Sequence, residues 1–334
     1  MNGYSLQELA DKMDNKVSKQ ALSKYELGAM LPEESVLPLL CKALGKEIDY
    51  FSKEPSIVLG AVSFRKIQSF TIREQEMIQE QTVDFLERYF ELEKTIGIDS
   101  DFTNPLKNLP IRNSSDIEEA AAQLRKFWKV GEDPLNNTLE LLEDMNIKVL
   151  ESHAEFSFSG FSTFVSSRHP IIVINAKLDE YLERKRFTAL HEVGHLLLDL
   201  EQYSDKEKES FCNAFASALL MPSKTLFSAL GRNRRNILLK ELLLLKQTFG
   251  VSIQAAVYRA KDLGIITESY FKSFMITMSK NGWRKNEPGK YEGYEKPNRF
   301  DQLLLRAVAE GIISPTKAVA LSNKKLSDFT DEVD

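Results

Sequence analysis

The feature that most constrains this chain is Arg186-Phe-Thr-Ala-Leu-His-Glu-Val-Gly-His195, where two histidines four residues apart bracket a glutamate inside an apolar, helix-period run. Positions four apart on an α-helix stand one above the other on the same face. His191 and His195 can therefore offer two imidazole nitrogens to one divalent ion, at zinc-like distances of about 2.0–2.1 Å. Glu192 follows about 100° round the helix, beside the ion rather than on it. From there its carboxylate can take a proton from water and pass it to a leaving amine. The pattern points to zinc-dependent peptide hydrolysis.

The competing reading is an ordinary buried helix carrying two hydrogen-bonded histidines. The chain has only four His in 334 residues, and half of them flank this Glu. Ala189, Leu190, Val193, Leu196, Leu197 and Leu198 would bury the helix almost all round, so two polar rings there need partners. Gly194 costs about 1 kcal/mol relative to Ala in a helix interior, which predicts close approach of another backbone.

A zinc site of this kind needs a third protein ligand and an open fourth position. Asp199, Glu201, Asp205, Glu207 and Glu209 all follow the histidines. The stretch from Glu209 to Met221 reads as a second helix, small at Ala214, Ser217 and Ala218, apolar at Phe211, Phe215 and Leu219, and stopped before Pro222. Glu209, in its first turn, is favoured as ligand, with Asn213 one turn on as hydrogen-bond partner of a ligand histidine. Asp199 continues the histidine stripe but would crowd the ion, and Cys212 is a weaker candidate.

Arg186-Phe-Thr-x-x-His-Glu-x-Gly-His-Leu-Leu-Leu, then Glu209-x-x-x-Asn-x-Phe-Ala, then Leu-Leu-Met-Pro222, resembles the ImmA/IrrE family of bacterial metallopeptidases over residues 113–270. The resemblance implies a zincin-like α+β domain, mostly helical with a small sheet. It implies that His191, His195 and Glu209 hold Zn2+ and that Glu192 is the general base. It further implies regulatory proteolysis of a repressor-type protein partner.

At 334 residues, two or three domains are expected. A net charge of −5 excludes a molecule that binds nucleic acid or membranes by overall charge. There is no membrane-spanning apolar run and no signal-peptide pattern at the start. Cys41 and Cys212 lie far apart, so a reducing, cytoplasmic setting is expected.

Residues 1–55 read as short helices. Ser5 and Glu8 form a capping box before the first, Ser18 caps a second from Lys19 to Tyr25, and a third runs from Ser35 to Leu44 before Gly45. Two short helices joined by a tight turn suggest helix-turn-helix. Ser-Leu-x-Glu-Leu-Ala, Ser-Lys-Gln-Ala-Leu-Ser-Lys-Tyr-Glu and Lys-Ala-Leu-Gly-x-x-x-Asp-Tyr-Phe resemble the lambda-repressor-like (XRE) domain. By that resemblance Ser18, Lys19, Gln20, Ser23 and Lys24 face DNA, where Gln can read adenine and Lys guanine or phosphate. The segment holds seven Lys and no Arg against nine acidic residues, and the first helix of such a domain is expected to be missing before Ser5.

Residues 56–112 are expected to be a helical connector, its long helix opened by Thr71 and Glu74 and serving as a spacer or a homodimer contact. Residues 113–270 form the expected peptidase domain and 271–334 a helical C-terminal tail ending in acidic residues. Within the peptidase domain Asn113 caps a helix to Trp128, and another spans Leu135–Met145. Strands are expected at Ile147–Leu150, Phe156–Val165 and Ile171–Asn175. Either Pro170–Asn175 or Phe158–Phe164 would align an extended substrate by backbone pairing. Ser223 is expected to cap a helix, a second to span Arg235–Gly250, and Tyr258 and Arg259 to be donors to an oxyanion. His153 and His169 are expected on surface loops. The alternative function is a DNA-binding regulator or toxin–antitoxin component whose peptidase fold serves as sensor or scaffold.

Overall fold

Among the described residues, caps bound three short helices near the start of the chain. The computed structural model describes residues 4–46, 48, 51, 57, 59–60, 71–153 and 158–323. Helix α1 (Leu6–Lys12) opens on the Ser5/Glu8 capping box, with the Glu8 N–H donating to Ser5 Oγ at 3.1 Å. Asp14 and Asn15 then adopt left-handed backbone, both at φ 55°, which short polar side chains tolerate. They turn the chain into α2 (Lys19–Glu26), capped by Ser18. Helix α3 (Leu37–Leu44) stops at Gly45, φ 65°, a conformation that favours glycine. Ala10, Met13, Val17, Leu22 and Leu40 make the core of these helices. By compactness the chain forms two units, Met1–Val58 with Phe70–Glu87 and Leu59–Ser69 with Arg88–Asp334. Helix α4 (Ile72–Thr95) begins at the expected Thr71/Glu74 capping box.

In the larger unit α5 (Ser114–Phe127) is capped by Asn113. Helix α6 (Thr138–Asp144) starts later than Leu135, because the Asn137 side chain accepts from the Glu140 N–H and sets the boundary there. A three-stranded sheet follows: β1 (Lys148–Ser152), β2 (Gly160–Val165) and β3 (His169–Asn175), in the order β1-β3-β2. β1 runs parallel to β3, from Lys148 opposite Ile171 to Ser152 opposite Asn175, and β2 antiparallel, from Gly160 opposite Ile174 to Val165 opposite His169. β3 is central and buried on both faces, which accounts for its continuous Ile171-Ile-Val-Ile174 run. The Pro170–Asn175 assignment for substrate pairing is therefore corrected, since both edges of that strand are already paired. β1 and β2 are the two edge strands, and the outer edge of β2 is partly taken, with Leu59 bridging Val165 and the Gly60 N–H donating to the Phe164 carbonyl at 2.7 Å. Residues 156 and 157 of the expected second strand lie outside the described residues, as does the acidic end after Asn323.

After a short 3-10 turn (Ala176–Glu180), eight α-helices follow among the described residues: α7 (Leu182–Leu197), α8 (Asp205–Leu220), α9 (Ser223–Leu230), α10 (Leu239–Phe249), α11 (Ile253–Asp262), α12 (Glu268–Lys280), α13 (Arg299–Ala309) and α14 (Pro315–Ser322). Ser223 is the first residue of α9 rather than its cap, with Pro222 in the capping position. The core joins α5 through Ile117 and Leu124, α7 through Leu190 and Val193, α8 through Phe215 and Leu219, and α11 through Ile253 and Val257. Each such side chain contributes about 1.5–3 kcal/mol on burial. Helices α7 and α8 meet where Gly194 faces Cys212. A Cβ on Gly194 would sit 3.2 Å from the Cys212 Cα and 3.1 Å from its Cβ and Sγ. The glycine lets the two helices touch.

Charges on the far side of α7 tie the C-terminal segment to this core. Arg186 and Lys185 are fully buried. Arg186 pairs with Glu295 and donates to the carbonyls of Leu135 at 2.7 Å and Asn136 at 2.5 Å. Lys185 reaches Glu151, Asp179 and the Glu295 carbonyl. Losing one partner of such a pair leaves an uncompensated buried charge, at a cost of about 3–5 kcal/mol.

Candidate metal centre

The α7 face carrying Thr188, His191, Glu192 and His195 borders a cleft of about 720 Å³, with β2 on one side and α8 on the other. Gly160 admits that closeness, because a Cβ there would meet the Val173 carbonyl at 2.9 Å and Thr188 Cγ2 at 3.0 Å. At the cleft floor the two imidazoles turn the same nitrogen inward, with His191 Nε2 and His195 Nε2 3.1 Å apart. Glu209 of α8 brings Oε1 to 2.9 Å from His195 Nε2 and Oε2 to 3.4 Å from His191 Nε2.

The outer ring nitrogens have their own partners on α8. Asn213 Oδ1 lies 2.9 Å from His191 Nδ1, and Cys212 Sγ 3.5 Å from His195 Nδ1. An amide oxygen only accepts, so the His191 proton belongs on Nδ1 and the lone pair on Nε2 faces the cluster. A lone pair, a second imidazole nitrogen and a carboxylate thus converge, an arrangement that suits a cation. Neighbouring ligands of a tetrahedral ion at about 2.0–2.1 Å would be about 3.3 Å apart. The observed separations of 2.9–3.4 Å fit that edge length. The donor set of two nitrogens and one carboxylate fits zinc with a position left open.

Glu192 stands beside the cluster, nearly buried, and Ser162 of β2 donates to its Oε2 at 2.7 Å. Of the other carboxylates, Glu207 is engaged in a capping box with Ser204 at the start of α8. That engagement holds its pKa below the usual value. Asp199 is exposed, because α7 ends at Leu197, where the Asn104 side chain donates to the Leu197 carbonyl at 2.9 Å. The next residue, Leu198, is extended, so Asp199 leaves the histidine stripe.

Residues 142–261 match peptidase family M78, the IrrE N-terminal-like domain. The chain carries an IrrE N-terminal-like domain. Residues 1–51 match a helix-turn-helix domain. A search of the curated proteins gave no match.

Within the IrrE-like unit the structure brings together His191, Glu192, His195, Glu209 and Asn213. Tyr258 and Arg259, the expected oxyanion donors, are not in the lining of the cleft that holds this cluster; they line a neighbouring cavity that shares Phe187 and Asn213 with it. Arg259 is buried and tied to Glu118 and to the Met221 carbonyl at 3.0 Å. Tyr258 meets Phe271 edge to face, with ring centroids 4.7 Å apart. His153 is exposed, whereas His169 opens β3 and packs on Phe90 at 4.9 Å, away from the cluster. Burial lowers the His169 pKa. In the helix-turn-helix domain Lys19, Gln20 and Lys24 are exposed along α2, Ser23 is half-buried, and the Ser18 hydroxyl accepts from the Ala21 N–H. Ser162 is the residue that sequence reasoning missed. Its one signal was the alternation of β2, which sets Gly160, Ser162 and Phe164 on one face.

Proposed function

We propose that this chain is a zinc-dependent, site-specific endopeptidase acting in transcriptional regulation, with a repressor-type protein as substrate. The observation that carries the reading is the convergence of His191 Nε2, His195 Nε2 and a Glu209 carboxylate within 3.4 Å. His191, His195 and Glu209 would hold zinc, and Asn213 would fix the His191 ring. When bound, zinc supplies Lewis acidity that polarises a carbonyl and makes water acidic enough to react near neutral pH. Glu192 takes the proton from the attacking water and delivers it to the leaving amine, while Ser162 orients its carboxylate. The edge of β2 short of Phe164, where Leu59 and Gly60 take over the pairing, offers backbone groups to an extended substrate beside these residues.

The helix-turn-helix domain would bring the peptidase to an operator or to the repressor bound there, through Ser18, Lys19, Gln20, Ser23 and Lys24. No helix among the described residues is long and apolar enough to cross a membrane, and a cytoplasmic setting suits this reading. A homodimer through α4 is compatible with it.

Co-expression with a repressor encoded nearby tests the proposal. A discrete fragment should appear with the native chain and vanish with Glu192→Gln, which keeps the metal ligands. A fragment that persists with Glu192→Gln assigns cleavage to another protease and favours the regulator or toxin–antitoxin reading, with the peptidase fold as scaffold. Lys19→Ala with Gln20→Ala should relax DNA sequence preference more than it weakens salt-dependent, non-specific binding.

A further inference from the structure

A second cavity, of about 1630 Å³, opens beside the metal centre, and Phe187 and Asn213 line both. Small-molecule sites occupy about 300–1,000 Å³, so this space suits a polymer better. Its floor includes Asn213 and Ser217 of α8, and one wall is the loop from Arg284 to Lys290. A polypeptide lying along β2 past His191 and His195 would continue into it.

The charges around this groove do not cancel. Lys246 pairs with Glu183 at 3.1 Å and Glu287 at 3.3 Å, Arg259 with Glu118, and Lys261 with Asp262 at 3.0 Å. Arg284, Lys285 and Lys290 are exposed and have no ion pair among the described residues. Arg184 has only the Ser159 hydroxyl at 2.7 Å as a described partner. Lys246 answers two carboxylates, so against these four cations stand one shared carboxylate charge and Glu180, and two positive charges remain in excess. A local positive excess on a chain of net charge −5 marks a place where anionic groups are favoured.

The loop that carries the cations is pinned. Glu287 accepts from the N–H groups of Ile253 at 2.7 Å and Gln254 at 3.0 Å, at the start of α11. On the other side of Lys290, the Tyr291 N–H donates to Glu183 at 3.1 Å, and Gln247 donates to the Lys290 carbonyl. Arg284 and Lys285 precede the first anchor and Lys290 lies between the two. Their backbone is held before any ligand arrives, which lowers the ordering cost of binding.

We propose that this groove receives an acidic stretch of the protein substrate, selected by Arg284, Lys285 and Lys290, an inference that rests on the peptidase reading above. Its test is binding of a short fluorescein-labelled peptide of alternating Glu and Ala to the full chain, followed by anisotropy at low and high salt. Counterparts carry Gln or Lys in place of Glu. The Glu peptide should bind about tenfold more tightly than the Gln peptide at low salt, and lose that advantage as salt rises. Arg284→Glu with Lys285→Glu and Lys290→Glu should abolish the preference and favour the Lys peptide, with zinc content and melting unchanged. The corresponding Ala substitutions, milder to the fold, should abolish the preference without inverting it. Equal binding of Glu and Gln peptides, or a preference that survives these substitutions, would overturn the proposal. So would displacement of the peptide by an oligonucleotide of equal charge at lower concentration. Charge-blind binding alongside intact repressor cleavage sinks the groove assignment alone. Charge-selective binding without cleavage by the zinc-loaded chain sinks the peptidase reading and leaves an acidic-peptide site.

Discussion

Asn213 Oδ1 accepts from His191 Nδ1 at 2.9 Å, so a residue on α8 decides which nitrogen of a residue on α7 faces the cluster. If the cluster holds zinc, Asn213→Ala should leave the ligands in place yet weaken zinc binding by about 10–100-fold, because the ring loses both its orientation and its tautomer. Asn213→Asp, which keeps an acceptor, should retain most of the affinity. Competition against a chromophoric chelator measures both. Unchanged affinity in the Ala variant would show that packing alone orients the ring.

Glu209 and Asp199 make opposite predictions. Glu209→Ala should lower zinc content well below about one ion per chain, as should His191→Ala and His195→Ala. Asp199→Ala should leave it unchanged, since that residue is exposed beyond the end of α7. Elemental analysis of purified protein decides it, and the reverse result would reassign the third ligand.

Ser162→Ala removes the hydroxyl 2.7 Å from Glu192 Oε2. Hydrogen bonds to charged groups contribute about 1.5–3 kcal/mol, so kcat on the cleaved substrate should fall by about tenfold or more with zinc content unaltered. Ser162→Thr, which restores a hydroxyl, should recover part of the loss. Loss of zinc in the Ala variant would instead give the strand a structural role at the metal centre.

Gly194 is a packing test. Ala at this position gains up to about 1 kcal/mol of helix propensity, but its Cβ would stand 3.1 Å from Cys212 Sγ. Overpacking costs about 1–3 kcal/mol, so Gly194→Ala should lower stability by about 0–2 kcal/mol in thermal or urea unfolding. Adding Cys212→Ala removes the sulfur but leaves the backbone at position 212 as close as before, so it should recover only part of the loss. Full additivity of the two changes would mean that the helices do not meet as described.

These residues also show what was legible from the chain alone. His191, Glu192 and His195 could be grouped because helical spacing is local and fixes which side chains share a face. Glu209 could not be separated from Asp199 with the same force. The end of α7 is held by Asn104, 93 residues earlier in the chain, and no local rule reports that bond. Ser162 was invisible for a related reason, since the register of β2 depends on its pairing with β3. The start of α8 was legible and easily passed over. Ser204-x-x-Glu207 is a capping box, so the helix begins at Asp205 and Glu209 lies one turn inside it. Arg186 belongs to the motif, but its burial against Glu295 requires the chain to return from 109 residues away.

Glu143 supplies a pH signature independent of any metal. It is buried under the start of α13, where Oε2 accepts from the N–H groups of Asn298 at 2.8 Å and Arg299 at 3.0 Å. Burial outweighs those donors and pushes its pKa up to about 7, from an ordinary 4.5. In the unfolded chain the group loses its proton near 4.5, while the folded chain keeps it until about 7. The unfolded state therefore binds fewer protons across this window, and the Glu143 contribution to stability falls as pH rises through it. Glu143→Gln keeps an oxygen for both N–H groups and cannot ionise. The variant should gain on the native chain progressively from about pH 4.5 to pH 7, by up to about 3 kcal/mol, and the gap should stay flat above that. Urea unfolding of both proteins across this range measures the difference, so other titrating groups cancel. A gap that does not change with pH would mean that Glu143 ionises at its ordinary value and that the α13 amides, not burial, set its charge state.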